Sequence, residues 1–124
     1  MTASPRGYLE VAEFYRARPV DAQSAPAATT NTDLLTVASG YWVEGEVWVA
    51  NRGTATTFRV AARMDAGALG NKHYLAYDEP LAANESLHTG FIRLPAGAIV
   101  TVYAGSANVS FTFNGLQRQM DVNF

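Results

Sequence analysis

The chain has no cysteine, two histidines and a single lysine, Lys72, in 124 residues. Without thiols it can form neither disulfides nor thiolate metal sites, which excludes zinc ribbons, thioredoxin-like redox chemistry and cysteine nucleophiles together. A basic surplus is missing too. Acidic and basic residues are interspersed and the formal net charge is −2, which argues against nucleic acid as a partner, because a phosphate-backbone binder shows an excess of cations. No apolar run approaches the length of a membrane span, so no membrane partner is expected. The opening MTASPRGYLEV lacks the basic and apolar regions of a secretion signal, and synthesis in a cytosol is the expectation.

What is present is a chain of one-domain length with 48% apolar residues, enough for a core that needs no covalent staples. The composition changes near residue 33. Before it, SPRG, RARPVD and QSAPAATTNT are rich in proline and small residues, and residues 1–32 are read as an extended N-terminal arm. Pro19 pushes Arg18 towards extended geometry, and Tyr8, Phe14 and Tyr15 are the residues that would anchor such an arm. After residue 33 the text becomes β-rich runs divided by turn chemistry: DLLTV, YWVEGEVWVAN, TTFRVAARM, KHYLAYD, SLHTGFIRL, AIVTVYA and NVSFTFNG. The pattern predicts an all-β fold, an antiparallel β-sandwich of jelly-roll or Ig-like type with about seven to eight strands. Residues 33–116 form the domain in this reading, and residues 117–124 a C-terminal tail.

Alternation assigns faces. Val43, Val47 and Val49 face inward, as do Phe58, Val60 and Ala62, and the expected core adds Leu35, Val37, Val100, Val102, Val109, Phe111 and Phe113. Trp42, Glu44, Glu46 and Trp48 then share the outer face of one strand. Residues 41–51 and 56–63 read as a hairpin through NRGTAT, so Arg59 and Arg63 would land beside those indoles and carboxylates as cross-strand partners. Such a face has the composition of a protein interface, and Trp42, Glu44, Glu46, Trp48, Arg59 and Arg63 are its candidate residues.

Catalytic chemistry finds little support. His73 and His88 lie in different runs without a metal-ligand spacing, and Asp78-Glu79-Pro80 reads as an acidic turn before a calcium site. Glu44 and Glu46, two apart on a strand and about 6.5 to 7 Å from each other, could imitate a glycosidase pair. A Glu/Arg ladder is the more ordinary explanation. GALGNKH lacks the P-loop spacing and reads as a hairpin loop. No catalytic residue, metal or cofactor is expected. A second function class is a carbohydrate-binding module for host attachment. Trp42 and Trp48 would be its aromatic platform and Glu44 or Glu46 would accept hydroxyl hydrogen bonds, although six residues of strand separate the indoles by about 20 Å and demand a long glycan.

The phrases QSAPAATTNTDLLTV, VWVANRGTATTFRVAAR, LGNKHYLAYDEPLAANESL and LPAGAIVTVYAGSANVSFTFNGL occur in this order over about residues 23 to 116. In APAATT, the strand ending NRG, FRVA, NKHY with its YD and P turn, and the closing VYAG, the chain resembles a family of small virion structural proteins of tailed bacteriophages. The resemblance implies a compact β-sandwich of the capsid-decoration or tail and neck class, located in the virion. It implies self-association, a trimer included, and docking on capsid or tail subunits. The shared phrases are strand and turn chemistry and hold no active site. MTASPRGYLEVAEFY and QRQMDVNF depart from the pattern.

Overall fold

The computed structural model describes residues 17–119. The expected arm anchors Tyr8, Phe14 and Tyr15 lie outside the described residues. Nine strands form the described chain: β1 (Ala17–Ser24), β2 (Thr32–Thr36), β3 (Tyr41–Asn51), β4 (Thr56–Arg63), β5 (Tyr74–Leu81), β6 (Ser86–His88), β7 (Ile92–Leu94), β8 (Ile99–Ala104) and β9 (Val109–Gln119). They make two antiparallel sheets, the first in the order β1-β9-β3-β6 with β7 also on β3, the second in the order β2-β8-β4-β5. The architecture is a β-sandwich, as the alternation predicts.

The core lies between the sheets. Val43, Val47 and Val49 of β3 and Val109, Phe111 and Phe113 of β9 meet Phe58 and Val60 of β4 and Val100 and Val102 of β8, all buried. Phe58 and Phe111 meet edge to face across the sheets, with ring centroids 6.3 Å apart, the preferred geometry for aromatic pairs. One core expectation shifts by a residue. Leu34 is buried and Leu35 only partly so, because a register irregularity between Asp33 and Leu35 inverts the alternation before Val37.

The expected hairpin of β3 and β4 does not form. β3 pairs with β9, β6 and β7, whereas β4 pairs with β8 and β5 in the other sheet. Inward alternation is the same whether two strands lie side by side or face each other across a core, so the pattern could not separate the two cases. Asn51 closes the arch. It is buried, its Nδ2 donates to the carbonyls of Thr54 (2.9 Å), Leu81 (3.3 Å) and Ala82 (3.1 Å), and its Oδ1 accepts from the Gly53 amide at 2.9 Å. Four backbone groups from two loops thus converge on one side chain.

Two strands extend beyond the sequence-drawn limits. β1, within the stretch read as arm, pairs with β9 from Ala17↔Arg118 to Ser24↔Phe111, and β9 runs on to Gln119. Pro19 is tolerated because β1 is an edge strand, where a missing N–H breaks no inner ladder. The single run SLHTGFIRL divides into β6 and β7. Val47 N donates to Thr89 Oγ1 (3.1 Å) and Thr89 N to the Val47 carbonyl (3.0 Å), and Gly90 takes a left-handed φ of 83°. Phe91 is thereby turned outward, 66% exposed.

β3 and β9 come unusually close where Gly45 pairs with Gly115. A Cβ on Gly45 would lie 2.7 Å from the Gly115 Cα, and one on Gly115 would run into the Glu44 carbonyl. Glycine is required at both positions by this approach.

Candidate functional site

The outer face of the first sheet gathers four of the six candidate strand residues. Alternation on β3 points Trp42, Glu44, Glu46 and Trp48 away from the core, and antiparallel register sets Arg118, Leu116, Asn114 and Thr112 of β9 opposite them. On the other flank His88 of β6 pairs with Trp48 and Arg93 of β7 with Glu44.

Both β3 carboxylates on this face have partners. Glu44, with a side chain only 14% exposed, lies 3.4 Å from Arg93 Nε through Oε2 and 3.6 Å from Arg118 Nε through Oε1. The same two guanidinium groups flank Trp42, at 5.9 and 5.8 Å from its ring centroid, near the outer limit of a cation–π contact. Glu46 Oε1 accepts from Trp48 Nε1 at 3.0 Å, and Oε2 is 3.3 Å from His88 Nδ1. The Trp48 and His88 rings lie 4.5 Å apart, tilted by 35°. The arginines that flank Trp42 therefore come from β7 and β9, Trp48 meets His88 of β6, and the expected Arg59 and Arg63 are elsewhere. Beside the ladder, Pro19, Glu44, Phe91 and Leu116 border a shallow depression of about 450 Å³. Phe91, Trp48 and Leu116 remain exposed.

Arg59 and Arg63 belong to β4, on the outer face of the second sheet. Arg63 Nη2 donates to Asp33 Oδ1 (3.2 Å) and Thr101 Oγ1 (3.0 Å), and Nη1 to the Gly67 carbonyl (3.0 Å). Thr101 Oγ1 completes the triangle by donating to Asp33 at 2.9 Å, while the buried Nε of Arg63 has no partner among the described residues. Arg59 Nε donates to Asp78 Oδ1 at 2.7 Å, and its guanidinium carbon is 4.2 Å from the centroids of both Tyr77 and Tyr103. The hydrogen bond to Asp78 holds the Arg59 cation above its ordinary value, burial pulling the other way and the Asp78 charge adding to the rise. Since a raised cation loses its proton only above the usual arginine range, Arg59 stays charged at every physiological pH.

The histidines have local roles. His73 accepts from the Gly70 amide through Nδ1 at 2.9 Å, closing the single 3₁₀ turn Asn71–His73, and His88 belongs to the Trp48 pair. Arg93, Arg118 and Phe91 were not singled out by the sequence reading, and His88 was weighed there only for metal-ligand spacing. Arg118 had a signal, because the alternation of Val109, Phe111 and Phe113 carried five residues further points it outward. Among the described residues no group of three or more His, Asp or Glu could hold a metal ion, and no helix is long and apolar enough to cross a membrane.

No family model matches the chain, and no curated protein matches it. Among solved structures it is similar to a pentameric capsid protein isolated from metagenomic phage sequences, at 16% identity and a TM-score of 0.34, covering 85% of this chain and 62% of that one. A second structure of a pentameric capsid protein from metagenomic phage sequences gives 16%, 0.33, 85% and 63%. The CBM22-1–GH10 modules of Clostridium thermocellum endo-1,4-β-D-xylanase 10B, complexed with xylohexaose, match at 12% identity and a TM-score of 0.42, over 90% of this chain and 27% of that one. The chain thus spans less than two thirds of each, and none of these likenesses carries a role over to it.

Proposed function

We propose that this chain is a non-enzymatic structural protein of a bacteriophage particle, which self-associates and docks on capsid or tail subunits through the outer face of its first sheet. The observation that carries the reading is the ladder on β3, β9, β6 and β7: two tryptophans, paired charges and the exposed Phe91 and Leu116 on one continuous face. Aromatic residues and arginine are the types that concentrate binding energy at interfaces, and pre-paired charges can be covered without being stranded. The strand and turn phrases shared with tailed-phage virion proteins support the particle assignment. Neither Glu44 nor Glu46 is a free carboxylate, which favours the interface over the glycosidase pair. The indoles likewise favour it over a sugar platform, since six residues of strand separate Trp42 from Trp48 by about 20 Å.

Mass spectrometry of purified particles encoded by the same genome should find the chain in stoichiometric copies, and Trp48→Ala should lower its incorporation by about tenfold or more. Particles that lack the chain, or that take up the variant as well as the native form, contradict the proposal. A truncation probing the arm must stop before Ala17, because a longer deletion strips β1 from β9.

A further inference from the structure

The second sheet carries a separate polar and aromatic corner on the side of the sandwich away from the tryptophans. Asp78 has a φ of 48°, left-handed backbone that a non-glycine residue adopts only under constraint from its surroundings. Around it the β4–β5 register shifts between Phe58 and Val60. That irregularity brings the Asp78 carboxylate to Arg59 Nε, and the guanidinium carbon lies 4.2 Å from the ring centroids of both Tyr77 and Tyr103. The cation is therefore fixed in orientation. Its Nη atoms and Asp78 Oδ2 make no hydrogen bond among the described residues. Arg59 stays 22% and Asp78 47% exposed at the side chain. Tyr77, more than half exposed, meets Tyr74 edge to face at 4.8 Å, and with Asn71 the two rings frame a depression of about 310 Å³.

We propose that this corner is a saccharide-binding site that takes one pyranose ring of a neutral glycan. A pyranose combines an apolar C–H face with hydroxyl groups that each need a donor and an acceptor close together. The Tyr77 and Tyr74 rings supply the surface for the first, and the adjacent Asp78 acceptor, Arg59 donor fork and Asn71 amide supply the second. A neutral ligand is favoured because Asp78 already balances the Arg59 charge, so an anion would compete with a carboxylate in place. The depression falls at the small end of ligand sites, the scale of one ring, whereas a folded protein partner needs roughly 800 Å² of surface on each side. The left-handed Asp78 and the Arg59 cation beside two rings adjoin the depression at Tyr77, which lines it with Tyr74 and Asn71. The site uses no residue of the interface face, so each reading stands or falls alone.

The native chain is applied to an array of neutral and acidic glycans, and hits are titrated by calorimetry. At least one neutral glycan is expected to bind, Tyr77→Ala and Asn71→Ala each to weaken it by about tenfold, and Trp48→Ala to leave it unchanged. Thermal melts of every variant separate lost contacts from lost fold, and Asn71, exposed on its turn, can be replaced without touching the core. An array with no neutral hit overturns the proposal, and so does binding that falls with Trp48→Ala and survives Tyr77→Ala. Capture of a protein partner that depends on Tyr77, with no glycan bound, overturns it as well.

Discussion

The two outer faces of this sandwich use the same kinds of side chain, aromatic rings, arginines and carboxylates, in opposite arrangements. On the first sheet they spread over β3, β6, β7 and β9, with arginines at 5.8 to 5.9 Å from Trp42 and each carboxylate oxygen of Glu44 and Glu46 already opposite a partner. On the second they converge on Arg59, clamped at 4.2 Å from two rings with hydrogen-bonding atoms left over. A spread of satisfied charges around the half-buried Trp42 and the exposed Trp48 suits a broad surface that another subunit can cover. A clamped donor beside an open ring suits a small ligand. Residue composition alone does not separate the two, because what differs is how tightly the backbone forces the groups together.

Removing what both faces share should erase the contrast. Phe111 is fully buried under both sheets, and Phe111→Ala should cost about 3 to 5 kcal/mol, read as a lowered denaturant midpoint with association and glycan binding lost together. Gly115→Ala should damage one face first. Its new Cβ meets the Glu44 backbone, and the overpacking should cost about 1 to 3 kcal/mol, with assembly weakened while binding at the Tyr77 corner persists in the folded fraction. Trp48→Ala sharpens the comparison with the smallest effect on stability. The side chain is 42% exposed and its cross-strand pairing is worth roughly 0.2 to 1 kcal/mol, so the melting curve should barely move.

Much of this was legible in the residues. YWVEGEVWVAN marked β3 from end to end, and the inward set of Val43, Val47, Val49, Phe58, Val60, Phe111 and Phe113 followed from alternation alone. Pairing was not legible. A period of two says which way a side chain points and nothing about which strand lies beside it, so Arg59 and Arg63 were read next to Trp48 although they belong to the opposite face. Leu35 was taken for Leu34 because a register irregularity leaves no compositional mark. β1 was hidden by Pro19 and a polar composition, both compatible with an edge strand. The Tyr77 corner escaped notice for a different reason. It depends on a left-handed Asp78, a backbone detail that brings Tyr77, Arg59 and Tyr103 together from three strands.

The most direct measurement is the mass of the native chain in solution by sedimentation velocity over a range of concentrations, repeated for Trp48→Ala combined with Phe91→Ser. A closed multimer that falls apart in the double variant, with the melting curve nearly unchanged, is the predicted result. A monomer at every concentration, or a multimer indifferent to both substitutions, would contradict the assignment of the first sheet's outer face to another subunit.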